Sequence, residues 1–306
     1  MSDVRKAAQF LRKCQVIEEA DIAGTECPWE LNAGMPPRED FHDTMEAIYI
    51  WSLDSNFADN RQYLSRAIKY MKSRRDFLME EGEPMKSYDA ACMILGIHMY
   101  LKHVKDAEVS ELEDYAINHL TSYFSGDGPA HNARDYSNPY LKAAMLGYVL
   151  RDRNQSLDFL DRWLSRDLTM AKPGLEPAHR GPGYQYPHDF VSTFGSKLFA
   201  LGVASSSYDF SQAVPLLPSD FVPREHDEVS FNSTILLGLG AAASRTKGSL
   251  RDSFLKAASP INRNIEGRIV DGGLKRGNYF PIRESWPTFY FAFASIVLQK
   301  GDPFRS

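Results

Sequence analysis

The residues of this chain that could carry acid–base chemistry lie mostly in loops that precede apolar segments. A His–Asp dipeptide begins at three such places, at His42, His188 and His226. A histidine that titrates near neutral pH needs a neighbour that fixes its tautomer, and a carboxylate can do so. Side chains of adjacent residues diverge, so the alternative is that these residues cap the helices that follow. The recurrence of the pair before similar segments favours a role in a site.

A second candidate feature is the glycine-rich segment HRGPGYQY, residues 179–186. Its glycines let the backbone approach a ligand closely, and a rigid surface turn is the alternative. Together these loops predict one site on one face of the molecule. The predicted acid–base residues are His42, Asp43, Asp135, Tyr184, His188, Asp189, His226 and Asp227, and the predicted substrate-binding residues are His131, Tyr186, Asp271, Arg276, Arg283, Glu284 and Trp286.

No cofactor is predicted from these residues. The histidines and acids leave a metal site open as an alternative, but no ligand spacing such as HExxH is present. The three cysteines, Cys14, Cys27 and Cys92, are odd in number and have no metal-type spacing. Free thiols are typical of a reducing cytoplasm, where we expect the protein to be found.

The elements that must position these residues are six apolar helices, each preceded by a polar loop. They recur at intervals of about 41 to 55 residues, a scale typical of stacked helical hairpins. They are apolar nearly all round, which predicts neighbours on every side. The segments read HDTMEAIYIW from His42, YDAACMILGIHMYL from Tyr88, YSNPYLKAAMLGYVL from Tyr136, VSTFGSKLFALGV from Val191, FNSTILLGLGAAA from Phe231 and SWPTFYFAFASIVL from Ser285.

Amphipathic segments separate the apolar ones. Each has a single polar face suited to solvent, which predicts that these helices form an outer layer. The N-terminal helix supplies the sixth outer partner and so closes the ring. The chain is therefore predicted to be all-α, a closed (α/α)6 toroid formed by one domain, residues 1–306. The predicted outer helices cover residues 3–17, 61–81, 109–124, 156–169 and 249–258, the last stopped by Pro260, with an irregular segment at 208–221 that is broken by Pro215 and Pro218.

The composition excludes several classes of partner. The chain is 43% hydrophobic and 25% charged, and its net charge of −5 with no block of Lys and Arg argues against a nucleic-acid partner. No apolar run reaches the roughly 18 residues that a membrane span needs, and the charged N-terminus lacks the apolar centre of a signal peptide. We therefore expect a small-molecule substrate, and the oligomeric state stays open.

Two segments resemble known families. DGGLKRGNYFPIRESWPTFYFAFASIVL, from Asp271, resembles the glycine-turn-plus-helix repeat of terpenoid cyclases and protein prenyltransferases. EPAHRGPGYQYPHDF, from Glu176, is similar to a loop of toroid polysaccharide lyases through its GPGY core. Both resemblances imply an α/α toroid and leave the function divided. The chain has no Asp-Asp dipeptide, no DxDD or DDxxD motif, and no cysteine in the later repeats, so no catalytic residue is transferred from these families.

Three functions follow from this pattern. The first is an enzyme of lyase, isomerase or cyclase type that acts by acid–base chemistry on a small, partly apolar, isoprenoid-like substrate. The second is a carbohydrate-active lyase or glycoside hydrolase, which the His- and Tyr-bearing loops favour. The third is a non-catalytic module that binds a small molecule. Aromatic cavity walls would support the first function, and aromatic rings flanked by carboxylates would support the second.

Overall fold

A computed structural model describes residues 2–19, 22–26, 39–79, 87–125, 138–174, 192–224, 227–278 and 283–304. A 3-10 helix spans Phe210–Leu216, and three short strands, β1 (Gln15–Glu19), β2 (Ile22–Glu26) and β3 (Glu39–Asp40), form one sheet. The helices are α1 (Ser2–Lys13), α2 (Phe41–Ser52), α3 (Asp54–Ser73), α4 (Arg75–Met79), α5 (Ser87–Leu101), α6 (Ala107–Ser125), α7 (Pro139–Asp152), α8 (Asp158–Leu164), α9 (Thr193–Ala204), α10 (Glu228–Arg245), α11 (Gly248–Glu266) and α12 (Ser285–Lys300).

The helices α2, α5, α7, α9, α10 and α12 form an inner ring. Each packs against the next along the chain, and α12 packs against α2, so the ring is closed. Their residues are buried all round because inner neighbours lie on one side and the outer layer on the other. The predicted closed (α/α)6 toroid is confirmed. We call the face at the N-terminal ends of the inner helices the mouth and the opposite face the base.

The N-terminal helix completes the outer layer. It packs beside α12 and α2, and its side chains Val4 and Leu11 are buried. Trp51 of α2 donates a hydrogen bond from Nε1 to the carbonyl oxygen of Ala8, at 3.1 Å. The helices α3, α6, α8 and α11 pack against α2, α5, α9 and α10 in turn.

The small sheet is absent from the sequence prediction. The predicted N-terminal helix, 3–17, ends at Lys13, and Val16 and Ile17 lie in β1 instead. Both residues are β-branched and favour extended backbone. β1 pairs with β2 in antiparallel fashion, and the Thr25 amide of β2 donates to Oγ1 of Thr44, at 2.8 Å. The sheet is thereby attached to the start of α2.

The prediction that Pro260 ends the last outer helix is wrong, because α11 continues through Pro260 to Glu266. Proline removes the hydrogen bond to the carbonyl four residues earlier, which is that of Lys256. Lys256 is exposed, so water can satisfy this carbonyl and the helix continues. Another outer helix, α8, is shorter than predicted and spans Asp158–Leu164 only.

The centre of the ring is filled with aromatic side chains. Phe289 and Phe293 of α12 stack on each other with ring centroids 5.6 Å apart. Tyr49 of α2 meets Phe293 edge-on at 5.4 Å, and Phe199 of α9 meets it at 5.9 Å from across the ring. Tyr148 of α7 packs on Phe199 at 5.6 Å. These rings form a core rather than the walls of a cavity.

The base is closed by the C-terminal segment, residues 301–304. The hydroxyls of Tyr49 and Tyr148 donate to the carbonyl oxygens of Pro303 and Gly301, at 3.0 and 3.2 Å. The ring of Phe304 is 4% exposed and packs on His98 with centroids 4.7 Å apart. The segment therefore crosses the base beneath the aromatic core.

Candidate active site

The mouth holds buried charged side chains around the start of α12, which we call the carboxylate cluster. They come from α2, from the start of α10 and from the segment between α11 and α12. Buried charges are expensive unless they are paired, so their concentration here needs an explanation beyond folding. The cluster comprises Asp43, Glu46, Asp227, Glu228, Arg276 and Glu284, each at most 5% exposed, together with the partly exposed Arg268.

Arg276 and Glu284 form the centre of this cluster. Nε and Nη2 of Arg276 donate to Oε2 and Oε1 of Glu284, at 2.8 and 3.0 Å. Such a bidentate pair fixes the orientation of both groups. Trp286 donates from Nε1 to the same Oε2, at 3.0 Å, and the guanidinium of Arg276 lies 5.1 Å from its ring centroid. The carboxylate of Glu284 is therefore held in place by two neighbours.

Asp227 lies on the other side of Arg276. Its Oδ1 is 3.1 Å from Nε of Arg276, but that N–H points at Glu284. Within the described part of the chain, Oδ1 of Asp227 is buried and accepts no hydrogen bond. The backbone of Asp227 is left-handed, with φ 53° and ψ 25°, a conformation that Asp and Asn adopt more readily than other side chains.

This environment changes the acidity of Asp227. Burial raises the pKa of its carboxyl to about 7, because desolvation disfavours the charged form. The guanidinium of Arg276 opposes the shift, and the nearby carboxylate of Glu284 adds to it. The guanidinium of Arg276 is hydrogen-bonded to the carboxylate of Glu284. Its positive charge therefore stabilises the ionised form of Asp227 only weakly. Asp227 is therefore about half protonated near neutral pH and keeps its proton below it.

Glu228, the first residue of α10, is paired separately. It accepts a short hydrogen bond from Nη1 of Arg268, and the guanidinium of Arg268 lies 4.4 Å from the ring centroid of Phe221. The guanidinium groups of Arg268 and Arg276 are thus engaged by carboxylates, and a third, that of Arg224, opposes the rise of the pKa of Asp227 and covers the ring of Phe231 at 3.9 Å. The described carboxylates outnumber them, so the cluster carries more negative than positive groups.

Asp43 joins α2 to the start of α12. Its Oδ1 accepts a hydrogen bond from Oγ of Ser285 at 3.0 Å. The helix α12 begins at Ser285 itself, and Glu284 occupies the N-cap position. The hydroxyl of Ser285 is thereby available to Asp43. Asp43 and Asp227 lie on opposite sides of the α12 N-terminus.

Glu46, one turn further along α2, belongs to a buried phenol network. The hydroxyl of Tyr88 donates to Oε1 of Glu46 at 3.0 Å and lies 2.5 Å from the hydroxyl of Tyr290. Cys92 donates from Sγ to the same Oε1, at 3.8 Å. Burial raises the pKa values of Tyr88, Tyr290 and Cys92 well above their ordinary values, so all three stay protonated. This network joins α2, α5 and α12.

His42 does not use its neighbour Asp43 as a partner. Its Nδ1 lies 3.5 Å from Oδ1 of Asp89 on α5, and its ring meets that of Tyr88 edge-on at 5.5 Å. Asp43 instead faces Ser285. The divergence of adjacent side chains, which weighed against the dipeptide as a catalytic pair, is thus observed at this copy.

Two predicted substrate-binding residues lie apart from the cluster. Arg283 donates to Oδ2 of Asp271 at 3.0 Å, in a pair whose side chains are 34% and 69% exposed. Its guanidinium also lies 5.9 Å from the ring centroid of Phe10 in α1. Arg283 and Asp271 therefore form part of the contact between the last hairpin and α1.

The structure thus brings together five of the predicted site residues and separates others. Those in or beside the cluster are Asp43, Asp227, Arg276, Glu284 and Trp286, with His42 nearby through Tyr88. The predicted residues His131, Asp135, Tyr184, Tyr186, His188, Asp189 and His226 lie outside the described residues, so their role in a site stays a prediction.

Five members of the site are not among the predicted residues: Glu46, Tyr88, Glu228, Arg268 and Tyr290. Glu46 is a single acid inside the apolar segment HDTMEAIYIW, and an acid at a fully buried helical position is itself a signal of a polar network. Tyr88 and Tyr290 are aromatic residues in apolar helices, and the sequence does not reveal that their hydroxyls meet. Among the described residues, no group of three or more His, Cys, Asp and Glu side chains is arranged to hold a metal ion.

Comparison with known proteins establishes the fold. No family model matches the chain, and no curated protein matches its sequence. The chain is similar to the solved structure of an inactive variant of α-1,6-mannanase GH76A of Salegentibacter sp. HEL1_6 in complex with α-1,6-mannotriose. The TM-score is 0.62 at 10% identity, over 97% of this chain and 98% of that one. At this identity the similarity shows the toroid fold alone.

The chemistry has to be argued from this chain's own residues. The mannanase variant is inactive and carries asparagine in place of two consecutive aspartates. This chain contains no Asp-Asp dipeptide, and the consecutive acids of its carboxylate cluster are Asp227 and Glu228. No helix in the described part of the chain combines the length and the apolar character needed to cross a membrane.

Proposed function

We propose that this protein is a carbohydrate-active enzyme, specifically a glycoside hydrolase, with its active site at the carboxylate cluster. The observation that carries the proposal is Asp227, a buried carboxyl whose pKa is raised to about 7 among further buried carboxylates at the mouth of a toroid. Glycoside hydrolysis needs a carboxylic acid that is still protonated at the working pH, together with a second carboxylate.

In this proposal Asp227 is the general acid. Its proton goes to the glycosidic oxygen as the bond from that oxygen to the sugar carbon breaks. Asp43 is the second carboxylate, which takes a proton from the attacking water or attacks the sugar carbon itself. Glu284 and Glu46 are fixed by Arg276 and Tyr88, so we assign them the role of positioning. Overall, water is added across the glycosidic bond.

The charges of the cluster favour hydrolysis of a neutral glycan over cleavage of a polyuronate. A lyase that acts on uronates must neutralise the substrate carboxylate, which calls for an available cation. Arg268 and Arg276 are engaged by Glu228 and Glu284, and the guanidinium of Arg224 covers the ring of Phe231. The similar solved structure also supports a neutral sugar, since its protein is a mannanase bound to a mannotriose.

The isoprenoid hypothesis receives less support. It called for aromatic cavity walls, whereas Phe289, Phe293 and Tyr49 pack against each other at the centre of the ring. Trp286, the aromatic residue of the cluster, is partly exposed and sits beside Glu284. An aromatic ring flanked by a carboxylate is the arrangement expected for a sugar site.

The proposal is tested with the purified protein and the variant Asp227→Asn. The protein is incubated with neutral polysaccharides, including α-1,6-mannan, and with polyuronates. We expect new reducing ends from a neutral polymer without unsaturated sugar products. Asp227→Asn should lower turnover by about 10²–10⁴-fold, and the activity of the wild type should fall as the pH rises above about 7, where Asp227 loses its proton.

The matched control is Asp252→Asn, on the exposed surface of α11, which should keep full activity. Asparagine tolerates left-handed backbone, so Asp227→Asn should fold normally. Release of unsaturated products would indicate a lyase. Binding of a glycan without cleavage, unaffected by Asp227→Asn, would indicate a non-catalytic module.

A further inference from the structure

The outer layer has a gap where a short helix lies beside a long one. α6 has 19 residues, whereas its outer neighbour α8 has only seven. A groove of about 380 Å³ lies between them, over the C-terminal end of α7. Its volume falls in the range of about 300–1,000 Å³ that is typical of ligand pockets. The groove is on the outer wall toward the base and is separate from the carboxylate cluster.

The floor and one wall of the groove are apolar. Ile117 of α6 and Leu150 of α7 are buried beneath it. Phe159 of α8 is half-buried at its edge. Within the described residues, the ring of Phe159 stacks on no other ring and on no cation, so an aromatic face is available to a ligand.

Three polar side chains of the groove are uncommitted. Asn118 and Thr121 project from the same face of α6, and Gln155 lies in the turn before α8. The side chains of these three residues make no hydrogen bond within the part of the chain that the structure describes. Two amides and a hydroxyl supply both donors and acceptors, which suits a ligand rich in hydroxyl groups.

One end of the groove is closed by an ion pair. Nη2 of Arg153 donates to Oδ1 of Asp114 at 2.7 Å, and Nη1 lies 3.5 Å from Oε2 of Glu113. The carboxylates of Asp114 and Glu113 thereby offset the positive charge of Arg153. The groove is consequently polar without a free charge, which favours a neutral ligand.

We propose that this groove binds a neutral oligosaccharide or one segment of a longer glycan. The face of Phe159 would cover the C–H face of a sugar ring, while the amides of Asn118 and Gln155 would bond its hydroxyls. The choice of a sugar rests on the proposed function. Two sites on one molecule would let a polymer be held at the outer wall while another part of it reaches the mouth.

The test is native electrophoresis in gels that contain α-1,6-mannan or, as a second neutral polymer, dextran. We expect at least one polymer to retard the wild type. Phe159→Ala and the double variant Asn118→Ala/Gln155→Ala should each raise the apparent Kd for that polymer at least fivefold. Gln212→Ala, on the exposed 3-10 helix, is the matched control and should migrate like the wild type.

A second measurement separates the groove from the mouth. Hydrolysis of soluble α-1,6-mannotriose, or binding of it if no cleavage occurs, should change less than twofold in the groove variants. Groove variants that are retarded like the wild type, or a wild type that neither polymer retards, would overturn the groove proposal and leave the mouth untouched. Retardation lost in the groove variants without cleavage of any glycan would support the groove and refute the hydrolase.

The double variant changes only exposed polar side chains. It therefore keeps the test valid if Phe159→Ala is too unstable to be purified, because Phe159 also packs partly on the core.

Discussion

Asp227 combines two properties that seldom coincide, a left-handed backbone and a buried carboxyl. Neither helps the protein to fold. The conformation costs of the order of 1 kcal/mol, and the carboxyl loses its hydration without a hydrogen bond from the described residues to replace it. Stability is often sacrificed where a side chain serves a site. The residue itself therefore argues for the role that we assign to it.

The raised pKa of Asp227 predicts a stability that falls as the pH rises. Below about pH 4 the carboxyl is protonated in both the folded and the unfolded protein. Between about 4 and 7 the folded protein keeps a proton that the unfolded chain loses, so the free energy of unfolding falls by up to ~1.4 kcal/mol per pH unit. Asp227→Asn should remove this dependence and gain stability relative to the wild type as the pH increases.

Urea denaturation at pH 5 and pH 7.5 measures the effect. Asp271→Asn is the control, since Asp271 also has a positive φ, 48°, but its side chain is 69% exposed. It should shift stability by the same amount at both pH values. Parallel pH curves for the wild type and Asp227→Asn would contradict the assignment.

At the scale of elements, a glycine turn of the last hairpin packs directly against α1. Gly272 has φ +85°, and a Cβ atom there would lie 2.3 Å from the carbonyl oxygen of Lys6 in α1. Gly273 is equally confined, because its Cβ would lie 2.6 Å from the ring of Phe10. The two glycines are thus required by the close packing of this turn on a neighbouring helix.

Gly272→Ala should therefore destabilise the protein by more than its backbone conformation alone requires. The left-handed conformation costs about 1–2 kcal/mol for a residue with a side chain, and displacement of α1 should add about 1–3 kcal/mol. Gly248→Ala is the control, because Gly248 has φ +57° with no atom near the added Cβ. If Gly272→Ala and Gly248→Ala lose equal stability in thermal or urea denaturation, the turn does not pack tightly against α1.

The inner helices were predictable because they are apolar all round and recur at a regular interval. The start of α9 was predictable too, since Ser192 caps it by accepting from the Gly195 amide at 3.0 Å. The sheet was not predictable, since β1 follows α1 with a single residue between them and continues its apolar pattern. The site was half predictable: a loop acid such as Asp227 stands out in sequence, but the meeting of Glu46 with Tyr88 depends on how two helices pack.

At the scale of the whole molecule, closure of the ring depends on α1. Deletion of residues 1–18 removes the buried side chains of Val4 and Leu11, each worth roughly 1.5–3 kcal/mol, and exposes the seam between α12 and α2. We expect a large loss of thermal stability, with one cooperative transition in the intact chain if residues 1–306 form one domain.

Leu11→Ala should cost about 2–5 kcal/mol, whereas Lys13→Ala, at an exposed position of α1, should cost almost nothing. A truncated protein that melts like the intact chain would show that the ring closes without α1.

The C-terminal segment, residues 301–304, lies beneath the aromatic core and closes the toroid at its base. If the protein cleaves a glycan as proposed, the polymer cannot pass through the ring, and substrate and product have to use the same face. A cleaved fragment would then leave by the route along which the next chain arrives, and we expect accumulated product to slow turnover by competition. The closed base also excludes a mechanism in which one polymer is drawn continuously through the ring.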